Sequence, residues 1–243
     1  MVDSSDYRTS GIGRATAKKK LAKLGIQVLV VVRSVKRGDE TLAEIRAAGG
    51  KVDFMSSDLR DASSAREVAK RALELGSGHI DVLVNNAGIF PFGPTEQTKE
   101  EEFDRVYSLN VKVPYFLVAE LAPLMAIKGN GAIVNVSTMV ADYGASGKSL
   151  YGSSKAAINL LTNAWAAEYG PRGVRINAVS SGPTRTEGTD AMGEGLEQLD
   201  AQAPAGRPAT TEEIAEAIVF LATDRSSFIY GAKIAVDGGR TAI

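Results

Sequence analysis

Five consecutive apolar residues, Val28-Leu29-Val30-Val31-Val32, are the stretch that decides the fold. No polar residue alternates with them, which is typical of a strand covered on both faces. Comparable runs follow at 52–55, 80–84, 132–136, 174–179 and 234–236. Segments of helical period separate them, at 14–24, 37–48, 62–75, 99–126, 151–169 and 211–223. This alternation predicts an α/β fold with a parallel sheet covered on both faces, in a single domain spanning residues 1–243.

Composition narrows the classes of function. The 28 Lys and Arg nearly balance the 29 Asp and Glu, so no net field favours nucleic acid or an anionic membrane. There is no cysteine, which excludes disulfides and thiolate chemistry, and a single histidine, His79, argues against a histidine-based triad or metal site. No apolar run approaches the roughly 18 residues of a membrane-spanning helix, and the N-terminus lacks a signal-peptide pattern. We therefore expect a cytoplasmic protein with no metal, nucleic-acid or membrane partner.

The segment Tyr151-Gly152-Ser153-Ser154-Lys155 carries the chemistry. Tyr151 and Lys155 stand four residues apart, so a helix projects both side chains from one face. An ammonium beside a phenol lowers the phenol pKa from its ordinary value of about 10. Such a phenol exchanges a proton with an alcohol or carbonyl oxygen. Tyr and Lys at this spacing also occur on ordinary helices, so neighbouring motifs must decide.

Two motifs lie next to predicted strand ends or helix starts, which is where parallel sheets bind ligands. Gly11-Ile12-Gly13 opens the first helix, and glycines there let a phosphate approach backbone N–H groups. The same pattern is often only a tight turn. Asn85-Asn86-Ala87-Gly88 directly follows a strand, where side-chain amides can hold the backbone or a ligand. The alternative interpretation is an Asn-rich turn.

Taken in order with Asn110 and the C-terminal Val236-Asp237-Gly238-Gly239, these motifs resemble the classical short-chain dehydrogenases/reductases, and loosely their 3-oxoacyl reductase-like branch. The resemblance implies a Rossmann-like doubly wound parallel sheet. It also implies an oxidoreductase that interconverts a small-molecule alcohol and ketone by hydride transfer, assembled as a homotetramer or dimer. Helices 99–126 and 151–169 would pair with a second subunit. They carry Phe116, Leu117, Leu121, Leu160, Leu161 and Trp165, some of which should exceed what one sheet face can cover.

The same resemblance assigns roles to the catalytic residues. Tyr151 would be the general acid/base, and Lys155 would hold the nicotinamide ribose. Asn110 would support a water that links Lys155 to solvent. The hydroxyl that orients the substrate carbonyl falls on Thr138, thirteen residues before Tyr151, with Ser137 as the alternative.

The dinucleotide site implied by the resemblance comprises Gly11, Ile12, Gly13, Asp58, Leu59, Asn86, Ala87, Gly88, Ser137, Tyr151, Lys155, Gly182, Pro183, Thr184 and Thr186. Ser181 stands where the family usually has proline. Arg33, at the end of the second predicted strand, favours NADP over NAD because a guanidinium accepts a 2′-phosphate. The alternative is that Arg33 merely ends a strand in solvent. Residues 187–206, with Met192, Leu196 and Leu199, are expected to form a substrate lid.

The N-terminus departs from the family pattern. Residues 1–10 place Asp3 and Asp6 where a buried first strand is expected, and Tyr7 where a glycine turn is expected. We therefore predict an anomalous first strand. A second hypothesis follows, a non-catalytic oligomer of this fold with impaired dinucleotide binding. Residues 3–8 also admit codons that, read one base later, encode Ile-Ala-Leu-Ile-Thr-Gly, which suggests a reading-frame error. The next helix carries Lys18-Lys19-Lys20 and is about one residue longer than the family pattern.

Overall fold

The computed structural model describes residues 11–21, 25–201 and 203–243. Its strands are β1 (Val28–Val32), β2 (Val52–Ser56), β3 (Val82–Asn85), β4 (Gly131–Thr138), β5 (Val174–Ser181) and β6 (Lys233–Val236). Its α-helices are α1 (Ile12–Ala15), α2 (Val35–Ala47), α3 (Ala62–Leu75), α4 (Glu100–Tyr107), α5 (Val113–Lys128), α6 (Ser149–Tyr169), α7 (Glu194–Asp200) and α8 (Thr211–Ala222). The predicted strand–helix alternation is confirmed.

All described strands pair in parallel, in two sheets. One sheet is β1–β2, in register from Val28 with Val52, and the other is β3–β4–β5–β6. Among the described residues no strand joins β1 to β3, and these two strands line one common cavity. The predicted anomaly in the first strand concerns residues 1–10, which lie outside the described part of the chain.

Both faces of the larger sheet are covered. Ile133 and Val134 of β4 are fully buried but belong to different apolar clusters, because successive side chains of a strand point to opposite faces. On one face Val134 joins Ile214 and Ile218 of α8. On the other face Ile133 joins α3, α5 and α6, including Trp165. This burial on both faces explains the unbroken apolar runs in the sequence.

The helix boundaries have local causes. Asp61 caps α3 by accepting a hydrogen bond from Ser64 N at 2.8 Å. Thr210 caps α8 in a reciprocal pair with Glu213, whose Oε2 accepts from Thr210 N at 2.8 Å. Arg207 binds the same carboxylate, and these contacts lower the Glu213 pKa to about 2.

Two π-helical turns interrupt the regular helices. The first, Thr16–Leu21, contains the three consecutive lysines. A π-turn takes up an extra residue within a helix, so it accounts for the additional length noted in the sequence. The second, Ser108–Lys112, lies between α4 and α5 and carries Asn110 into the protein interior.

The helical run Glu100–Lys128 is long and apolar enough to cross a membrane, judged by length and composition alone. Its apolar residues are nevertheless used inside the protein, since Leu117, Leu121 and Met125 are buried in the cluster with Trp165. Leu117, Leu121 and Trp165 therefore fill the core of their own chain, and the expectation that some of the six apolar residues lie between subunits stays a prediction for the others. Leu160 remains 70% exposed on α6.

Candidate active site

One cavity of about 1430 Å³ runs along the whole of β1 and β3 and also contains the predicted site residues near the carboxyl ends of β4 and β5. It extends from Arg33, Asp58 and Leu59 at one end to Tyr151 and Lys155 at the other. Every residue predicted for the site lines it except two, Gly11 and Asn110. The cavity is therefore elongated, with one end on the smaller sheet and the other on the larger.

Helix α6 brings Tyr151 and Lys155 against the end of β4. Lys155 is buried, and its Nζ donates a hydrogen bond to the carbonyl oxygen of Val136 at 2.8 Å. The Tyr151 hydroxyl is hydrogen-bonded with the side chain of Thr138, the last residue of β4. Ser137 Oγ is buried and makes no hydrogen bond within the described part of the chain. Thr138, rather than Ser137, is thus the hydroxyl that meets the phenol.

Burial sets the protonation of this pair. It raises the pKa of the Tyr151 phenol to about 12, against the lowering effect of the hydrogen bond with Thr138. It lowers the pKa of the Lys155 ammonium to about 8. The expectation that Lys155 lowers the Tyr151 pKa is not met, because desolvation dominates and the ammonium donates to Val136.

Asn110 lies behind the cavity and fixes the loop that follows β3. Its Oδ1 accepts from Ile89 N at 2.9 Å, while Nδ2 donates to Ile89 O at 2.9 Å and to Ser154 Oγ at 3.0 Å. Both ends of the amide are therefore used to join this loop to α6. The predicted water beside Asn110 stays a prediction.

The glycine turn is closely packed against the loops that follow β3 and β5. A Cβ on Gly13 would lie 2.5 Å from Asn86 Nδ2, and a Cβ on Gly11 would lie 2.7 Å from Thr186 Cγ2. Gly11 also has a φ of 75°, in the region that favours glycine. Any side chain at these two positions would displace a wall of the cavity. This cradle fits a group that must approach the backbone closely, as the pyrophosphate of a dinucleotide does.

Arg33 directly follows β1, and its side chain is exposed at the far end of the cavity. Within the described residues no carboxylate pairs with it. By contrast, Arg14 beside the glycine turn is bound by Glu44 at 2.5 Å and by Glu187 at 3.6 Å. Arg33 is therefore an exposed cation at this end that is available to a ligand phosphate.

The predicted lid lies over the other end of the cavity. It contains α7, whose Leu196 is buried, and Met192 and Leu199 also line the cavity. Thr189 Oγ1 donates to Thr184 O at 2.8 Å, which joins the start of the lid to the loop after β5. In that loop, Ser181 at the family's proline position donates through Oγ to Ser137 O at 3.3 Å.

The sequence interpretation missed three residues around Tyr151. The rings of Phe90 and Phe92 lie 6.1 and 6.3 Å from the Tyr151 ring, centroid to centroid. The ammonium of Lys148 lies 4.8 Å from the centroid of Phe92. Lys148 stands three residues before Tyr151, a spacing that already predicts one side of a helix. The two phenylalanines closely follow the Asn85-Asn86-Ala87-Gly88 motif, which also marked their position.

Known proteins are similar to this chain in sequence and fold. A family model described as enoyl-(acyl carrier protein) reductase matches residues 7–241. A 3-oxoacyl-(acyl-carrier-protein) reductase of Thermotoga maritima is 37% identical over 231 residues, covering 95% of this chain and 93% of the relative. A cis-4-hydroxycyclohexanecarboxylate dehydrogenase of Sinomonas cyclohexanicum is 37% identical over 238 residues, covering 96% and 94%.

Solved structures of similar proteins have the same fold as this chain. A short chain dehydrogenase/reductase family protein, 43% identical, superposes with a TM-score of 0.88 and covers 97% of this chain and 94% of its own. A protein from Beutenbergia cavernae, described as an NAD(P)-dependent gluconate 5-dehydrogenase with bound NADP at low occupancy, is 36% identical with a TM-score of 0.89, covering 96% and 94%. The shared motifs, fold and relatives together show that this chain is an oxidoreductase of the short-chain dehydrogenase/reductase family.

Proposed function

We propose that this protein is an NADP(H)-dependent oxidoreductase that interconverts a secondary alcohol and a ketone, with Tyr151 as the general acid/base. The observation that carries the proposal is the meeting of Thr138, Tyr151 and Lys155 at one end of the elongated cavity. Relatives named for a 3-oxoacyl compound and for a hydroxycyclohexanecarboxylate support alcohol and ketone chemistry.

Each of these residues has its own role in the proposed reaction. NADP(H), when bound, supplies or accepts the hydride at the reacting carbon. Thr138 and Tyr151 hydrogen-bond the substrate oxygen, and in reduction Tyr151 gives that oxygen its proton. A pKa of about 12 keeps the phenol protonated near neutral pH, which is the form that reduction needs. Lys155, beside the same end of the cavity, would hold the ribose of the cofactor.

The pH dependence of the activity follows from the direction in which the Tyr151 pKa is shifted. Because the pKa is raised, the proton donor persists throughout the neutral range, and the phenolate that oxidation needs is scarce there. We therefore expect kcat/KM for alcohol oxidation to rise with pH well above neutrality, while ketone reduction shows no loss near neutral pH. An oxidation rate that falls over the same range would contradict this assignment.

Arg33 supports NADP as the cofactor. It is an exposed guanidinium at the end of β1, with no carboxylate partner among the described residues, and it lines the same cavity as Asp58 and Leu59. A guanidinium binds a 2′-phosphate through charge-assisted hydrogen bonds, whereas NAD offers only hydroxyls there. The proposed assignment of the remaining cofactor residues rests on their common place in the cavity.

The protein is further proposed to form a dimer or tetramer. Leu160, Tyr115 and Ile127, on α6 and α5, are 70%, 46% and 84% exposed. Exposed apolar side chains on neighbouring helices are typical of a surface that another subunit covers. The alternative of a non-catalytic oligomer is not favoured, because the chain's relatives are named as reductases and dehydrogenases.

The decisive experiment follows NADPH absorbance with a panel of cyclic and linear ketones. Tyr151→Phe should lower kcat by about 10²- to 10⁴-fold, since it removes the proton donor. Tyr107→Phe is the matched control, because its hydroxyl donates to Ser153 Oγ at 3.0 Å and it does not line the cavity. If the Tyr151→Phe protein kept the wild-type kcat, the proposed role of Tyr151 would be excluded.

A further inference from the structure

Lys148 belongs to the active-site cavity but has no part in the proposed reaction. It is the N-cap residue of α6 and lines the cavity that contains Tyr151. Its Nζ lies 4.8 Å from the centroid of Phe92, and the Phe92 ring lies 6.3 Å from the ring of Tyr151. The ammonium and the phenol are thus neighbours of the same aromatic ring.

No carboxylate of the described residues balances this charge. The first turn of α6 contains no acidic residue. Two carboxylates of the nearby lid have other partners, since Glu187 lies 3.6 Å from Arg14 and Glu197 lies 2.6 Å from Arg185. Burial lowers the pKa of Lys148, and no neighbouring charge contributes to that shift. A half-buried ammonium without an anion is electrostatically unfavourable, and a ligand anion beside it would relieve that cost.

Several apolar side chains line the cavity together with Lys148. Among them are Phe90, Phe92, Met192 and Leu196. A substrate with a ring or short chain can contact these side chains, and a negative charge on it would be favourably placed beside Lys148. Both Lys148 and Tyr151 are neighbours of Phe92, so one small molecule beside that ring could contact both.

We infer that Lys148 determines substrate specificity by binding a carboxylate, so that the substrate is an apolar oxo acid or hydroxy acid. Its ketone or alcohol oxygen lies at Thr138 and Tyr151, and its carboxylate lies at Lys148. This inference rests on the proposed function, because it places the reacting oxygen at Tyr151. Lys148 acts on binding, away from the reacting carbon, so its contribution belongs to KM rather than to kcat.

The test compares 4-oxocyclohexanecarboxylate with its methyl ester, which has the same ring and ketone but no charge. Steady-state kcat/KM is measured with NADPH, and binding of each compound is measured separately by calorimetry. We expect the wild-type protein to prefer the acid by at least about tenfold, or about 1.4 kcal/mol, through a lower KM. Lys148→Met should bring this ratio close to one, and Lys148→Glu should invert it.

Two further variants control for indirect effects. Lys148→Arg keeps the positive charge and should keep the preference for the acid. Lys70→Met removes an exposed lysine of α3 that does not line the cavity, and should leave the ratio unchanged. A general effect of removing a lysine would change the ratio in both Met variants.

Different results would contradict the role of Lys148 and the proposed oxidoreductase function. If the wild-type protein reduced acid and ester equally, or if Lys148→Met left the ratio unchanged, the role of Lys148 would be overturned while the proposed function stood. If neither ketone were reduced, calorimetry would still show whether Lys148 binds the carboxylate of the acid. Acid binding that weakens about tenfold in Lys148→Met supports the carboxylate site. Acid binding that is absent, or equal in the two proteins, overturns it.

Discussion

Replacing Lys155 by Met should make the protein more stable near neutral pH while abolishing its activity. An ordinary lysine titrates at 10.5, whereas burial lowers the pKa of Lys155 to about 8. At about 1.4 kcal/mol for each tenfold change in proton affinity, the charged side chain lowers the free energy of unfolding by on the order of 3 kcal/mol. Loss of the hydrogen bond to Val136 O offsets about 1 kcal/mol of that gain, which leaves about 2 kcal/mol.

The sign of the pH dependence is fixed by the same two values. The folded-state pKa lies below that of the unfolded chain, so the folded protein releases this proton first. The penalty is complete below about pH 8, and wild-type stability rises from there to about pH 10.5 as the penalty disappears. Lys155→Met removes this rise. The difference between the two proteins should therefore be largest near neutral pH and shrink as pH increases.

Urea unfolding followed by the fluorescence of Trp165, the single and buried tryptophan, measures this difference. Protein concentration must be equal in all samples, because assembly of subunits would otherwise change the apparent stability. Lys70→Met, on the surface of α3, should change the unfolding free energy by less than about 0.5 kcal/mol. A Lys155→Met protein that is no more stable than wild type near neutral pH, or a difference independent of pH, would refute the argument from desolvation.

Four other changes test the site and the assembly. Thr138→Ser should retain activity and Thr138→Val should lower kcat by about 10²-fold, because only the first keeps a hydroxyl for the substrate oxygen; equal activities would exclude this role. Arg33→Asp should shift the ratio of kcat/KM for NADP over NAD towards NAD by about tenfold to a hundredfold, and an unchanged ratio would place Arg33 outside the adenosine pocket. Leu160→Glu should reduce the mass measured by sedimentation, since it buries a charge if α6 pairs with another subunit; a wild-type protein that is already a monomer would contradict the proposal. Replacing residues 3–8 by Ile-Ala-Leu-Ile-Thr-Gly, with a glycine added before Thr9, should raise both Tm and NADPH affinity; a coding sequence whose shifted frame is polar or contains a stop would refute the reading-frame hypothesis.

The sequence predicted those features that depend on local pattern. The apolar run Val28–Val32 forms β1 with the predicted bounds. A strand in a sheet covered on both faces buries the side chains of both its faces, so the run has no polar interruption. The predicted helix 62–75 became α3 without change, since Asp61 caps its first turn and Gly76 follows its last residue. The predicted cofactor residues other than Gly11 line one cavity because the carboxyl ends of parallel strands meet at one edge.

Features that depend on three-dimensional environment were not predictable in this way. Spacing places Tyr151 and Lys155 on one face of α6, but only their burial decides that the phenol pKa rises. Composition made Leu117 a candidate for a subunit surface, whereas packing of α5 against α3 buries it. The contact of Lys148 with Phe92 joins two distant segments of the chain, and no pattern within either segment contains it.

The pairing of the described strands has a consequence for how strongly different parts of the molecule are protected from exchange. Among the described residues β2 pairs with one strand, whereas β4 and β5 each pair with two. Amide protons of β2 should therefore exchange with solvent through openings that leave β4 and β5 protected. A dinucleotide would contact Arg33 on the smaller sheet and Lys155 beside the larger one, so it would close such openings from both sides. Occupancy of the cavity and slow exchange in β2 are thus thermodynamically linked, and each reports on the other.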